Sequence, residues 1–118
     1  MQGANNSGAE PLSGIVVVYV LYRMRFEVDA AKSAANRAKH GTDFVQAQAL
    51  WGDPDRIKGP GQSTDEPRFQ VVGQIGGTTW TATVTYRHEE TIRIISVRRA
   101  RADENEQYEK GAGEVGHR

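Results

Sequence analysis

Two stretches carry side chains able to do chemistry on a charged substrate. In AAKSAANRAKHGTDF, Ala30 to Phe44, a helical reading stacks Lys32, Asn36 and His40 four residues apart, with Lys39 beside them. His40 is the one group in that row that exchanges a proton near neutrality. In RIISVRRAR, four arginines fall within nine residues, among them Arg93 and Arg98. Guanidinium forks bind phosphate oxygens bidentately and stabilise charge developing at phosphorus. Each stretch also has a structural reading. A His in a last helical turn can simply be held by the helix dipole. Arginines on a strand can be solvated, or paired with Glu89, Glu90 and the acidic residues of the last helix.

Composition narrows the chemistry. The 118 residues contain no Cys, which excludes disulfides, thiolate catalysis and Cys-based zinc or iron–sulfur sites. No Walker loop, dinucleotide-binding glycine pattern, zincin helix or nucleophile elbow occurs. The formal net charge is zero, but it is unevenly distributed. Met24 to Ala102 holds 12 Lys and Arg against 9 Asp and Glu, whereas Asp103 to Arg118 holds 2 against 5. A basic body carries an acidic end.

The elements that must position these residues follow from capping and periodicity. MRFEV reads as a short strand, and Asp29 as the N-cap of a helix that ends at His40 with Gly41 in the left-handed conformation. Ala31, Ala35 and Ala38 would face the core. Asp43 caps a second helix, with Gln46 completing a capping box and Phe44, Ala47, Leu50 and Trp51 forming the apolar stripe. A short strand is possible at Ile57 within a Gly- and Pro-rich loop. Three meander strands follow. RFQVVGQI turns at Gly76-Gly77 into TTWTATVTYR, with Trp80, Ala82, Val84 and Tyr86 on one face and Thr79, Thr81, Thr83, Thr85 and Arg87 on the other. In TIRIISVRR, strict alternation puts Ile92, Ile94, Ser96 and Arg98 on one face and Arg93, Ile95, Val97 and Arg99 on the other. Phe69, Trp80 and Tyr86 are of a kind that stacks on bases, and their positions equally suit core packing. A polar helix runs from about Asp103 to Lys110, stopped by Gly111. The whole is an α+β domain: two N-terminal helices and a C-terminal helix on a small, mainly antiparallel sheet of three to five strands.

FEVDAAKSAANRAKHGTDFVQAQALWGDPD and RIISVRRARADENEQYE resemble the opening and closing signatures of the BrnT toxin family. In that family, a strand ending Glu-Trp-Asp leads to a helix bearing Lys, Asn and Lys-His-Gly. A closing strand Arg-Ile-Ile-Ser-x-Arg then precedes a terminal helix with a Tyr. The resemblance covers about Met24 to Glu109. It implies a RelE-like fold and a cytoplasmic ribonuclease toxin of a type II toxin–antitoxin pair, with no cofactor, no metal and no membrane contact. Its partners would be RNA and a BrnA-like ribbon-helix-helix antitoxin, which alone would bind operator DNA. Glu27, Asp29, Lys32, Asn36, Lys39, His40, Gly41, Phe44, Asp53, Arg68, Arg93, Ser96 and Arg98 match the family pattern. Val28 replaces a usual Trp, Trp51 a usual Phe, and Arg101 the Ser or Thr that would cap the last helix. The residues expected to act on the scissile phosphate are His40, Lys39, Arg93 and Arg98. Those expected to hold RNA are Lys32, Asn36, Arg68, Arg87 and Ser96. The alternative is a catalytically inactive relative that only holds an antitoxin or a nucleic acid.

Residues 1–23 join a Gly/Asn/Ser-rich stretch to IVVVYVLY, which is too short to cross a bilayer and lacks a signal peptide's basic start and cleavage site. They read either as an extra strand or as an extension ahead of a start at Met24. The toxin-like domain spans 24–110 and a flexible tail 111–118. A chain beginning at Met24 is expected to unfold cooperatively on heating. Loss of that transition would make IVVVYVLY part of the core.

Overall fold

The computed structural model describes residues 24–62, 66–88 and 91–116; the expectations for residues 1–23 and for Glu89 and Glu90 lie outside them. The chain runs β1 (Arg25–Glu27), α1 (Ala30–His40), a 3-10 segment (Gln46–Gly52), β2 (Ile57–Pro60), β3 (Phe69–Ile75), β4 (Thr78–Arg87), β5 (Thr91–Arg99) and α2 (Ala102–Gly116). The five strands form one mixed sheet in the order β1-β5-β4-β3-β2. β1 joins β5 in parallel, and the other three pairings are antiparallel. No helix among the described residues is long and apolar enough to cross a membrane.

Local chemistry sets each boundary. The Asp29 side chain accepts from the Lys32 amide at 3.1 Å and starts α1. Gly41, at φ 90°, ends it by donating its amide to the Arg37 carbonyl at 2.9 Å. Gly76 and Gly77 take φ of 58° and 85°, the double positive φ that a two-residue hairpin turn requires between β3 and β4.

The second N-terminal helix departs from expectation: it is a 3-10 segment. Phe44, Ala47 and Leu50 recur every three residues and all are at most 1% exposed, so a three-residue turn aligns them in one column on the core. Asp43 lies two residues before the segment's N-cap, Val45, which has no side-chain cap bond, and its carboxylate accepts from the amide of the segment's first residue, Gln46, at 2.7 Å. The Gln46 side chain does not complete a box; it accepts from the Thr42 hydroxyl at 3.4 Å.

α1 also seats itself differently from its alanine pattern. Ala31, Ala35 and Ala38 are exposed, and the buried positions of the helix are Ser33 and Asn36. β1 pairs with β5 only as far as Arg93, so the main chain of β5 beyond it faces α1 instead of a strand. The Asn36 amide donates to the Val97 carbonyl at 2.8 Å and its oxygen accepts from the Val97 amide at 3.1 Å. It thus makes both bonds that a neighbouring peptide group would make. Asn36 also donates to the Thr42 carbonyl at 2.8 Å, and the Ser33 hydroxyl accepts from the Phe44 amide at 2.9 Å.

β5 contains a bulge. Ser96 pairs with Thr83 and Ile94 with Val84, leaving Ile95 without a partner. Past it the alternation inverts, which corrects the strict alternation read from the sequence. Val97 and Arg99 join Ile92 and Ile94 on the core face, and Ser96 and Arg98 join Arg93 on the other. The core is Phe44, Ala47, Leu50 and Trp51 against Val71, Ala82, Val84, Ile92, Ile94 and Val97. α2 continues through Gly111 to Gly116, where the sequence reading ended it at Gly111. A Cβ at Gly111 would come within 3.2 Å of the Ile57 side chain, so the missing side chain admits close helix–strand contact.

Asn36→Ala is expected to lower stability by about 2–4 kcal/mol, because it orphans buried donors and acceptors on Val97 along with its own contacts. Urea unfolding checks this, and a loss below about 1 kcal/mol would contradict it.

Candidate nucleic-acid interface

The face of the sheet opposite the 3-10 segment is polar. Register places Thr81, Thr83, Thr85 and Arg87 of β4 on it, with Arg93, Ser96 and Arg98 of β5 and Arg25 and Glu27 of β1. β3 adds Gln70 and Val72, and its alternation carries the half-buried Arg68 to the same side. The Arg68 Nε is buried and has no hydrogen-bond partner among the described residues.

One end of this face is closed by α2. Both guanidinium arms of Arg98 donate to Glu104, at 2.8 and 2.9 Å. Glu104 also accepts from the Thr81 hydroxyl and from the Arg101 amide, each at 2.8 Å. Glu104 is the third residue of α2 and reaches back to the residue before it, the acidic half of a capping box, which compensates for Arg101 at the cap. Hydrogen bonding from Arg98 first, then the other donors, outweighs burial and holds the Glu104 carboxyl down at about 2. The same bond raises Arg98 further above its already high value. A second anchor joins α2 to the loop after the 3-10 segment: the Tyr108 hydroxyl donates to Asp53 at 2.7 Å, and the Gln74 amide donates to the same carboxylate at 2.8 Å. Burial alone would raise the Asp53 carboxyl, but these donors and the Asp55 amide lower it overall. Burial and the Asp53 contact push the Tyr108 phenol up.

Among the described residues, no element covers the other end. Arg87 and Arg93 converge on Glu27, each at 3.8 Å, and Arg87 lies 3.8 Å from Glu66 as well. These side chains are between 34% and 46% exposed, so the contacts are long, hydrated and weak. Asp29, at the start of α1, has its carboxyl lowered chiefly by the Lys32 amide, with Lys32 and Arg93 adding through their charges.

The sequence-expected residues divide accordingly. Arg87 and Arg93 come together, with Lys32 close by, while Arg68 and Ser96 share their face. Arg98 is held by Glu104. Asn36, read as part of an exposed polar row, is buried and bonded to main chain. Lys39 is exposed and His40 half-buried at the far end of α1, about 16 Å of helix from the Asp29 cap. No hydrogen bond or ion pair joins His40 to an arginine among the described residues. Two acids were given no role by the sequence reading. Glu27 pairs with arginines only once β1 lies parallel to β5, and no local pattern reports that. Glu104 had a signal, its spacing of three from Arg101. No group of three or more His, Asp or Glu among the described residues is gathered closely enough to hold a metal ion.

A face that gathers arginines around loosely held carboxylates suits a phosphate backbone. The family model for the ribonuclease toxin BrnT of type II toxin–antitoxin systems matches residues 29–104. The chain belongs to the BrnT toxin family. The match covers α1 through β5 and the first turn of α2, including Glu104. The fold is similar to the crystal structure of the Brucella abortus ribonuclease toxin BrnT, at 22% sequence identity and a TM-score of 0.51, over 66% of this chain and 97% of that one. None of the curated proteins compared matches the chain. Within the BrnT pattern, Asn36 and Asp53 are accounted for here by the main-chain bonds they make.

Glu104→Gln is expected to destabilise the protein by about 2–3 kcal/mol near neutrality, because the charge-assisted pair with Arg98 is lost. The carboxyl is lowered on folding, so its contribution is full above the ordinary 4.5 and fades as pH falls toward about 2. The gap between wild type and variant should therefore narrow over that interval. Thermal melts from pH 7 down to 2 check it, and a gap independent of pH would contradict the assignment.

Proposed function

We propose that this chain is a metal-independent endoribonuclease and that RNA lies along the open end of the polar face. The observation that carries this reading is the convergence of Arg87 and Arg93 on Glu27 through contacts of 3.8 Å, long enough for a phosphate to displace the carboxylate. RNA supplies its own nucleophile. The 2′-hydroxyl loses its proton to Glu27 and attacks the adjacent phosphorus, and the bond to the 5′-oxygen breaks with a proton taken from water. Arg87 and Arg93 stabilise the charge on the phosphorane, a demand that preorganised guanidinium groups meet without a metal. Lys32 and Arg68 hold flanking phosphates. Lys39 and His40 meet the strand farther along, and Ser96 contacts it at the bulge.

The chain acts as the toxin of a type II pair in the cytoplasm, on a RelE-like scaffold. Its antitoxin is a BrnA-like ribbon-helix-helix protein that covers the basic face and alone binds operator DNA. A second reading, an inactive module that binds RNA or antitoxin without cleaving, draws on the Arg98–Glu104 pair, since that guanidinium is already occupied by a carboxylate of the same chain.

The test is cleavage of a mixed-sequence RNA by purified protein in EDTA. Arg93→Ala and Glu27→Gln are expected to lower the rate by roughly 10²–10⁴-fold with little change in melting temperature. His40→Ala should lower it less than tenfold. A hundredfold fall for His40→Ala with Glu27→Gln near wild type would move proton transfer to the end of α1. RNA binding without any cleavage by wild type would favour the inactive module.

A further inference from the structure

A groove of about 380 Å³ opens on the core side of the sheet, away from the arginine face. Trp51, Met24 and Pro54 line it, together with Arg56, Lys58 and Tyr86, so among the described residues its lining holds two cations and no carboxylate. Tyr86 is 39% exposed, although its ring packs against Phe69 with centroids 5.1 Å apart. The Lys58 ammonium sits 5.0 Å from the Tyr86 ring centre and 5.2 Å from that of Phe69. The next residue, Arg87, turns to the opposite face, where it meets Glu27 and Glu66. A single strand that rounds this end of β4 touches both places.

We propose that the groove is a nucleotide subsite for single-stranded RNA. The base stacks on Tyr86 where Lys58 now lies, and Lys58 moves with Arg56 onto the phosphate. The inference rests on the reading of this chain as an RNA-binding enzyme. An apolar peptide segment would fill the volume but bury the Lys58 ammonium without a carboxylate in the lining; Arg56 already has Asp53 beside it and donates to its carbonyl at 3.1 Å. A nucleotide brings a π-face and an anion together, which is what this lining matches. The volume lies in the range of pockets that enclose a small ligand.

The experiment titrates adenosine 5′-monophosphate, and separately adenosine, into the full-length protein and follows tryptophan fluorescence. Saturable binding of the nucleotide is expected, with adenosine binding more weakly. Tyr86→Ala should weaken nucleotide binding roughly 5- to 100-fold, while Tyr86→Phe retains it. Lys58→Ala should weaken the nucleotide without weakening adenosine, an arm that holds even if Tyr86→Ala fails to fold. Absence of saturable binding overturns the proposal, as does binding indifferent to both positions. Loss of antitoxin capture in Tyr86→Ala with nucleotide binding intact assigns the groove to the antitoxin and also overturns it. Tyr86-dependent nucleotide binding by a protein that cleaves no RNA in EDTA leaves the subsite standing and removes the ribonuclease reading. Cleavage without nucleotide binding does the reverse.

Discussion

A single unpaired residue, Ile95, decides what each face of the sheet is for. Without the bulge, Val97 would leave the core, and Arg98 and Ser96 would turn into it. With it, a strand that carries three of the family-patterned residues keeps its apolar positions inside and lines up Arg93, Ser96 and Arg98 on one side. The bulge leaves β5 locally irregular, and Asn36 braces it two residues further on. The side-chain amide bonds both main-chain groups of Val97, in a stretch that the short strand β1 does not reach. The position of α1 follows from that contact, which is why its buried residues are polar and its alanines exposed.

The polar face is then divided by how tightly its arginines are held. Arg98 faces Glu104 at 2.8 and 2.9 Å in a partly buried, two-armed pair that also organises the start of α2. Arg87 and Arg93 face carboxylates at 3.8 Å in water. Charge-assisted bonds of the first kind resist exchange, and pairs of the second kind contribute little to stability. On the proposed reading, a phosphate competes easily at one end and poorly at the other. Four nearby arginines in the sequence are thus unequal in the folded chain, and Arg99 differs again, stacked 5.6 Å from the Trp80 ring centre on the opposite face.

The sequence made the local chemistry legible. Asp29, Gly41, Asp43 and the Gly76-Gly77 turn act through residues within four positions of themselves, and each does what its type dictates. The β4 pattern of Trp80, Ala82, Val84 and Tyr86 also holds its face along the whole strand. What stayed hidden depends on distant partners. Asn36 meets Val97, which is 61 residues away, and nothing in a helical repeat of small residues marks its polar position as the anchor. The bulge is invisible because Ile95 is as apolar as its neighbours. The 3-10 geometry was present in the spacing of Phe44, Ala47 and Leu50, a period of three that an α-helical stripe also tolerates. For the site, residue types pointed to phosphate, but the pairing partners Glu27 and Glu104 separate the available arginines from the occupied one.

The central claim is that RNA lies on the open end of the polar face. It is tested most directly by amide chemical-shift mapping with a short 2′-O-methyl RNA, which binds but lacks the nucleophile. The account predicts perturbations concentrated at Glu27, Thr85, Arg87, Arg93 and Ser96, with α1 responding mainly at Lys32. Perturbations confined to Lys39, His40 and the end of α1, with β4 and β5 silent, would contradict it.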